Sequence, residues 1–243
     1  MYTFGPIAAA IAVVSTVLTT LTAVATPVAG AAGAAVAIVC LTAVVRLAVL
    51  PLSVAQVRGE KARARLAPKL TALREKYAKN PERMLAEQRR VYAEEGSSPL
   101  AGCLPMFAQM PVFIVLNGVF TSATIAGAPN DLLTHTLGGI PLGARLGDVL
   151  GGGLTPQVLV YISLLVVIAA VAWASRRWLT LPALRASAES GGPELPGARM
   201  MSFLSFGTVA IAAFVPLAAG LYLATSTAWT VAERLALRHL ITG

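Results

Sequence analysis

The chain has 243 residues, 56% of them apolar and only 12% charged, with a formal net charge of +8 and a mean hydropathy of +0.74. Soluble domains carry about 25% charged residues, so this composition excludes an ordinary soluble globular protein and points to an integral membrane protein built as one helical bundle. The basic excess sits beside apolar runs, which is the pattern of membrane topology rather than of specific nucleic-acid recognition.

Residues 1–27 are apolar and uncharged. We read them as an interfacial or re-entrant helix on the outer face. A sixth span and a cleaved signal, with Ala-Val-Ala at 23–25 as the cleavage site, are the alternatives. Residues 28–57 form the first core span and contain "CLTAVVRLAVLPL" (40–52), with Arg46 inside it. Residues 58–97 form a helical hairpin, because Leu66, Leu70, Leu73 and Tyr77 recur at helical spacing. Within it "KNPER" reads as a stop and restart, with Asn80 as N-cap and Pro81 at the first helical position. Residues 98–124 are the second span, 125–154 a loop, 155–177 the third span and 178–199 a second loop. The apolar run 200–232 is too long for one crossing of about 20 residues. Pro216, followed by Gly220, divides it into spans at 200–215 and 216–235, before a short tail at 236–243.

Between Arg58 and Glu95 eleven Lys and Arg stand against six Glu, whereas the 125–155 loop has Arg145 as its one basic residue, beside Asp131 and Asp148. The basic segments belong inside. The expected fold is therefore an all-α membrane protein, a five-span bundle with N-terminus out and C-terminus in, carrying a cytoplasmic hairpin between its first two core spans. Cys40 and Cys103 lie far apart in apolar stretches and read as small packing residues. His135 and His239 fall in a loop and the tail, so no metal or cofactor is expected.

Arg46 is the anomaly. A charge at mid-bilayer costs roughly 2.5–3.5 kcal/mol on insertion scales, and with a boundary near Gln56 this one lies about 15 Å deep at 1.5 Å per residue. No Asp or Glu appears in another span before Glu233. A hydrated groove resolves the cost most economically; a structural arginine bonded to neighbouring carbonyls is the alternative. Thr42 lies one turn before Arg46 and Ser53 seven residues after it. The second span offers Gln109, Asn117 and Thr121, the third Gln157 and Tyr161. In the last, Tyr222, Ser226, Thr230 and Glu233 form a stripe at helical spacing. The candidate groove residues are thus Arg46, Thr42, Gln109, Asn117, Gln157, Tyr161, Tyr222, Ser226 and Thr230. The chain has no GxSxG, HExxH or P-loop motif to support hydrolysis or ATP-driven pumping, and no internal repeat of the transporter kind. A small transporter or channel with an anion site at Arg46 is the runner-up, and a pure assembly chaperone the third reading.

The stretch "SPLAGCLPMFAQMPVFIVL" (98–116) resembles the signature of the YidC/Oxa1/Alb3 membrane protein insertases, in their short five-span form. "TAVVRLAVLPLSVAQ" (42–56) resembles the arginine-bearing first core helix of that family, and "RLAPKLTALREKYAKNPERM" (65–84) its first cytoplasmic helix and turn. "VPLAAGLYLATSTAWT" (215–230) resembles the last hairpin and helix more loosely. Asn117 and Gly118 stand where many relatives carry bulkier residues, and Leu223 stands where many have a second tyrosine. The resemblance implies a groove around Arg46, open to the cytoplasm and bilayer and closed outside, that receives newly made membrane proteins. It further implies the bacterial plasma membrane as location, the Sec translocon and ribosome as candidate partners, and partitioning without enzymatic chemistry.

Overall fold

Prolines and glycines divide the apolar chain into its helices. The computed structural model describes residues 5–94, 104–153, 155–189 and 202–242, and these are mostly helical. Helix α1 (Gly5–Ala29) and helix α2 (Gly33–Ala48) are joined by one 3-10 turn, in which Gly30 takes a left-handed φ of +55°. Along α1, Ile7, Ile11, Val14, Leu18 and Leu21 form a stripe at helical spacing. It joins one apolar cluster with Ala34, Ala37, Ile38 and Leu41 of α2. The two helices approach closely at Gly33, where a Cβ would stand 2.7 Å from Thr26 Oγ1 and 2.9 Å from Thr26 Cα. Small residues permit this contact, the usual means of packing helices without a hydrophobic driving force between them.

Helix α2 ends at Ala48 rather than running to 57. Pro51 has no N–H to offer the Leu47 carbonyl, and the chain restarts at Val49 as helix α3 (Leu50–Lys76). Helix α3 then crosses the expected 57/58 boundary without a break. After a turn, Asn80 Oδ1 accepts the Arg83 N–H at 3.1 Å and opens helix α4 (Pro81–Glu94), with Glu82 in its first turn.

Helix α5 (Leu104–Thr121) leads into the segment expected to be a plain loop, which instead holds two minimal hairpins. Thr124–Ile125 pairs antiparallel with Ala128–Pro129, and Thr136–Leu137 with Ile140–Pro141. Their turns, Ala126-Gly127 and Gly138-Gly139, have positive φ throughout, which suits tight hairpins. Helix α6 (Leu146–Gly151) follows. This segment is tied into the bundle. Asn130 is buried, and its Nδ2 donates to Val119 O at 2.7 Å and to Ser122 O at 3.0 Å, closing the end of α5.

Helix α7 (Pro156–Ser175) continues through a single π turn, Arg176–Thr180, into helix α8 (Leu181–Glu189). The loop expected at 178–199 is therefore helical to Glu189; residues 190–199, which complete it, lie outside the described residues. Pro182 has no N–H for Trp178 O, and Arg238 Nη1 donates to that carbonyl instead at 3.1 Å. Helix α9 (Gly207–Phe214) is short. Helix α10 (Leu217–Thr242) continues through the segment expected as a tail. Its first-turn N–H groups at Leu217 and Ala218 donate to Ala144 O and Leu142 O, each at 2.9 Å, which satisfies donors that a helix start leaves open.

Among the described residues, two helical stretches, Gly5–Ala48 and Pro156–Ala186, are long and apolar enough to cross a membrane; Met110–Thr121 and Leu204–Phe214 are apolar but shorter. The main core lies toward the end of the bundle capped by residues 122–155. There Phe120, Leu132, Ile140, Leu142, Tyr161, Leu217 and Tyr222 are buried in one cluster.

Candidate groove around Arg46

Because α2 stops at Ala48, Arg46 occupies its last turn. The side chain is half-buried, and its Nη2 donates to Ser226 Oγ on α10. Past that contact the guanidinium borders a cavity of about 60 Å³ lined also by Ser53, Gln56, Val57, Thr230, Glu233, Arg234 and Leu237. That is room for a few water molecules beside polar partners. The lining residues of α10 repeat at three- and four-residue intervals, so one face of the helix supplies them.

Thr230 is the junction of the site. It also borders a second cavity, of about 160 Å³, with Ser175, Ser205, Thr208 and Thr227. A third, of about 640 Å³, opens nearer the hairpin end and is lined by Glu60, Ser175, Thr180, Thr230, Arg234 and Arg238 among others. Arg234 lies 3.2 Å from Glu60 and ties α10 to α3. Thr230 thus borders all three cavities, of which the two larger have mixed linings that include Val171, Ala172 and Val231 in one and Leu179, Ala183 and Leu184 in the other.

The structure brings together Arg46, Ser226 and Thr230 from the candidate set. Tyr222 lies one turn from Ser226, buried, with its ring 5.8 Å from that of Phe120. Thr42 is 2% exposed and its Oγ1 donates to Ile38 O within its own helix at 2.7 Å. Asn117 is half-buried on α5, and its backbone carbonyl accepts from Thr121 Oγ1 at 2.8 Å. Gln157 lies beside Gly139 in the second hairpin turn, at the capped end. Tyr161 is fully buried, and its Oη lies 2.7 Å from Val215 O and 3.2 Å from Ala212 O. The Gln109 side chain, Cys103 and the start of the 98–116 stretch lie outside what is described. Cys40 is exposed on the surface of α2 rather than packed inside. Gln56, Glu233 and Arg234 complete the cavity without having been candidates. Glu233 lies seven residues from Ser226, so helical periodicity carried that signal; Gln56, ten residues from Arg46 across the break at Val49, had none. Among the described residues no group of three His, Cys, Asp or Glu is placed to hold a metal.

A mostly helical chain with long apolar helices fits a membrane protein. The chain matches the family model described as 60Kd inner membrane protein over residues 26–242 and belongs to that family, the one that includes the YidC, Oxa1 and Alb3 proteins. It is 39% identical over 84 residues to membrane protein insertase YidC of Clostridium perfringens, covering 35% of each chain. It is 34% identical over 116 residues to membrane protein insertase YidC of Streptomyces avermitilis, covering 44% of this chain and 27% of the relative. It is 41% identical over 101 residues to inner membrane protein PPF-1 of Pisum sativum chloroplasts, covering 41% of this chain and 23% of the relative. The matches thus span about a third or less of the length of these relatives.

Proposed function

We propose that this chain is a membrane protein insertase whose working surface is the polar cavity line that begins at Arg46 and opens toward the cytoplasm. The single observation that carries this reading is a half-buried arginine, set among apolar helices, that bonds Ser226 and borders a cavity with Gln56, Thr230 and Glu233. In this reading the α3–α4 hairpin is cytoplasmic and residues 122–155 form the outer cap of an N-out, C-in, five-span protein of the bacterial plasma membrane. Helix α1 lies at the outer face. The hairpin receives newly made membrane proteins, from the ribosome or beside the Sec translocon. A polar segment of the client enters the cavity line and exchanges water for Arg46, Ser226 and Thr230, while its apolar segment moves into lipid along the helix faces. The polar segment then has less hydrocarbon to cross, and a cation at low local dielectric favours acidic segments most. Partitioning of this kind makes and breaks no covalent bond.

Purified protein in liposomes, with no other component, is expected to insert a single-span client that protein-free liposomes leave protease-accessible. A client equally accessible in both preparations would remove the reading.

A further inference from the structure

The charges around the Arg46 cavity do not form a lone cation in a polar pocket. Arg46, Glu233 and Arg234 all line it. Arg234 is already matched by Glu60 at 3.2 Å. Glu233 remains as the carboxylate that shares the cavity with Arg46. The Glu233 carboxylate is also held in place: Trp229, one turn earlier on α10, donates its Nε1–H to Glu233 Oε2 at 2.8 Å. Ser226 and Glu233 are two turns apart on the same face of α10. One side of the guanidinium thus meets a neutral hydroxyl, and the cavity beyond it holds a fixed negative charge. A guanidinium has five N–H donors, so contact with Ser226 leaves others to face the cavity.

We propose that Glu233 is a resident counter-ion of Arg46 that an acidic client segment displaces, which makes it the residue setting the groove's preference between acidic, neutral and basic segments. The inference rests on the insertase reading above. At rest the two charges cancel, and the cavity presents little net field to an uncharged segment. An incoming carboxylate competes with one already present. A basic segment is repelled by Arg46 but attracted by Glu233. Glu233 thereby tempers the pull that Arg46 alone would exert, widening the range of segments the groove accepts.

The test uses the full chain in proteoliposomes and three single-span clients that differ only in a pair of translocated residues: two Asp, two Asn or two Lys. Glu233→Gln removes the charge and keeps an oxygen to accept the Trp229 N–H. It is expected to raise the acidic-to-neutral ratio of insertion rates by roughly threefold or more and to lower the basic-to-neutral ratio. Glu233→Asp, which keeps the charge, should leave both ratios near those of the unaltered chain. Unchanged ratios, or equal slowing of all three clients, would overturn the counter-ion role and leave insertase activity standing. Failure of the unaltered chain to insert any client would overturn both readings.

Discussion

Arg46→Ala is expected to slow insertion of a client with an acidic translocated segment by roughly tenfold or more, because a hydrogen bond to a charged partner contributes about 1.5–3 kcal/mol and about 1.4 kcal/mol is tenfold. A client with an uncharged segment should stay within about twofold, since it loses only a neutral hydrogen-bonding partner of about 0.5–1.5 kcal/mol, part of which water replaces. The asymmetry matters more than the loss. Alanine also strands Glu233 without its counter-ion and leaves the Ser226 hydroxyl without its donor, so general destabilisation has to be separated from loss of attraction. Arg46→Lys does this. It keeps the charge but replaces a planar fork of donors with a single ammonium, and should retain most of the acidic preference. Insertion rates for the matched clients, with unfolding of each variant followed in detergent, decide the matter. Equal slowing of both clients by Arg46→Ala would mean a structural arginine.

The second large effect is on stability, far from the cavity. Tyr161→Phe should lower the unfolding free energy by about 1–3 kcal/mol, the cost of leaving a buried polar group without its partner. The reason lies in Pro216. A helical carbonyl at Ala212 would accept from the N–H of residue 216, and proline has none. Val215, which ends α9, is extended, with ψ of 160°. Its carbonyl and that of Ala212 share the one proton of the Tyr161 hydroxyl. Phenylalanine keeps the ring in place and removes only the hydroxyl that donates. The readout is denaturant or thermal unfolding in detergent, with insertion activity per folded molecule little changed. A stability equal to that of the unaltered chain would mean that water or another donor serves these carbonyls.

These two tyrosine and arginine positions also mark what a single sequence can reveal here. Arg46 stood out because charge in an apolar run is costly, and Ser226 and Thr230 because a polar stripe at four-residue spacing has one face. Both inferences need only local periodicity. Tyr161 looked the same by that criterion, yet its hydroxyl serves a proline break in a different helix. Which helix neighbours α7 is a tertiary fact with no local signature. Thr42 shares a face with Arg46, but its hydroxyl is used by its own backbone, the common fate of threonine in membrane helices. Glu233 was visible at the inner end of the last span, but its place in one cavity with Arg46 is again a tertiary fact. Pro51 was the available signal for the stop of α2 at Ala48. The two hairpins in the outer cap were harder still. Their strands are two residues long, too short for any alternating pattern, and only the Gly-Gly turn at 138–139 announced one of them.

The most direct test of a water-filled line of cavities leading from the cytoplasm to Arg46 is thiol access at Thr230, where the three cavities meet. A Thr230→Cys variant, made in a Cys40→Ser, Cys103→Ser background, is treated with a membrane-impermeant maleimide applied separately to each face of sealed vesicles. The groove reading predicts labelling from the cytoplasmic face, slowed when a stalled acidic client is present. Labelling only from the outer face, or none from either face until the protein is unfolded, would contradict it.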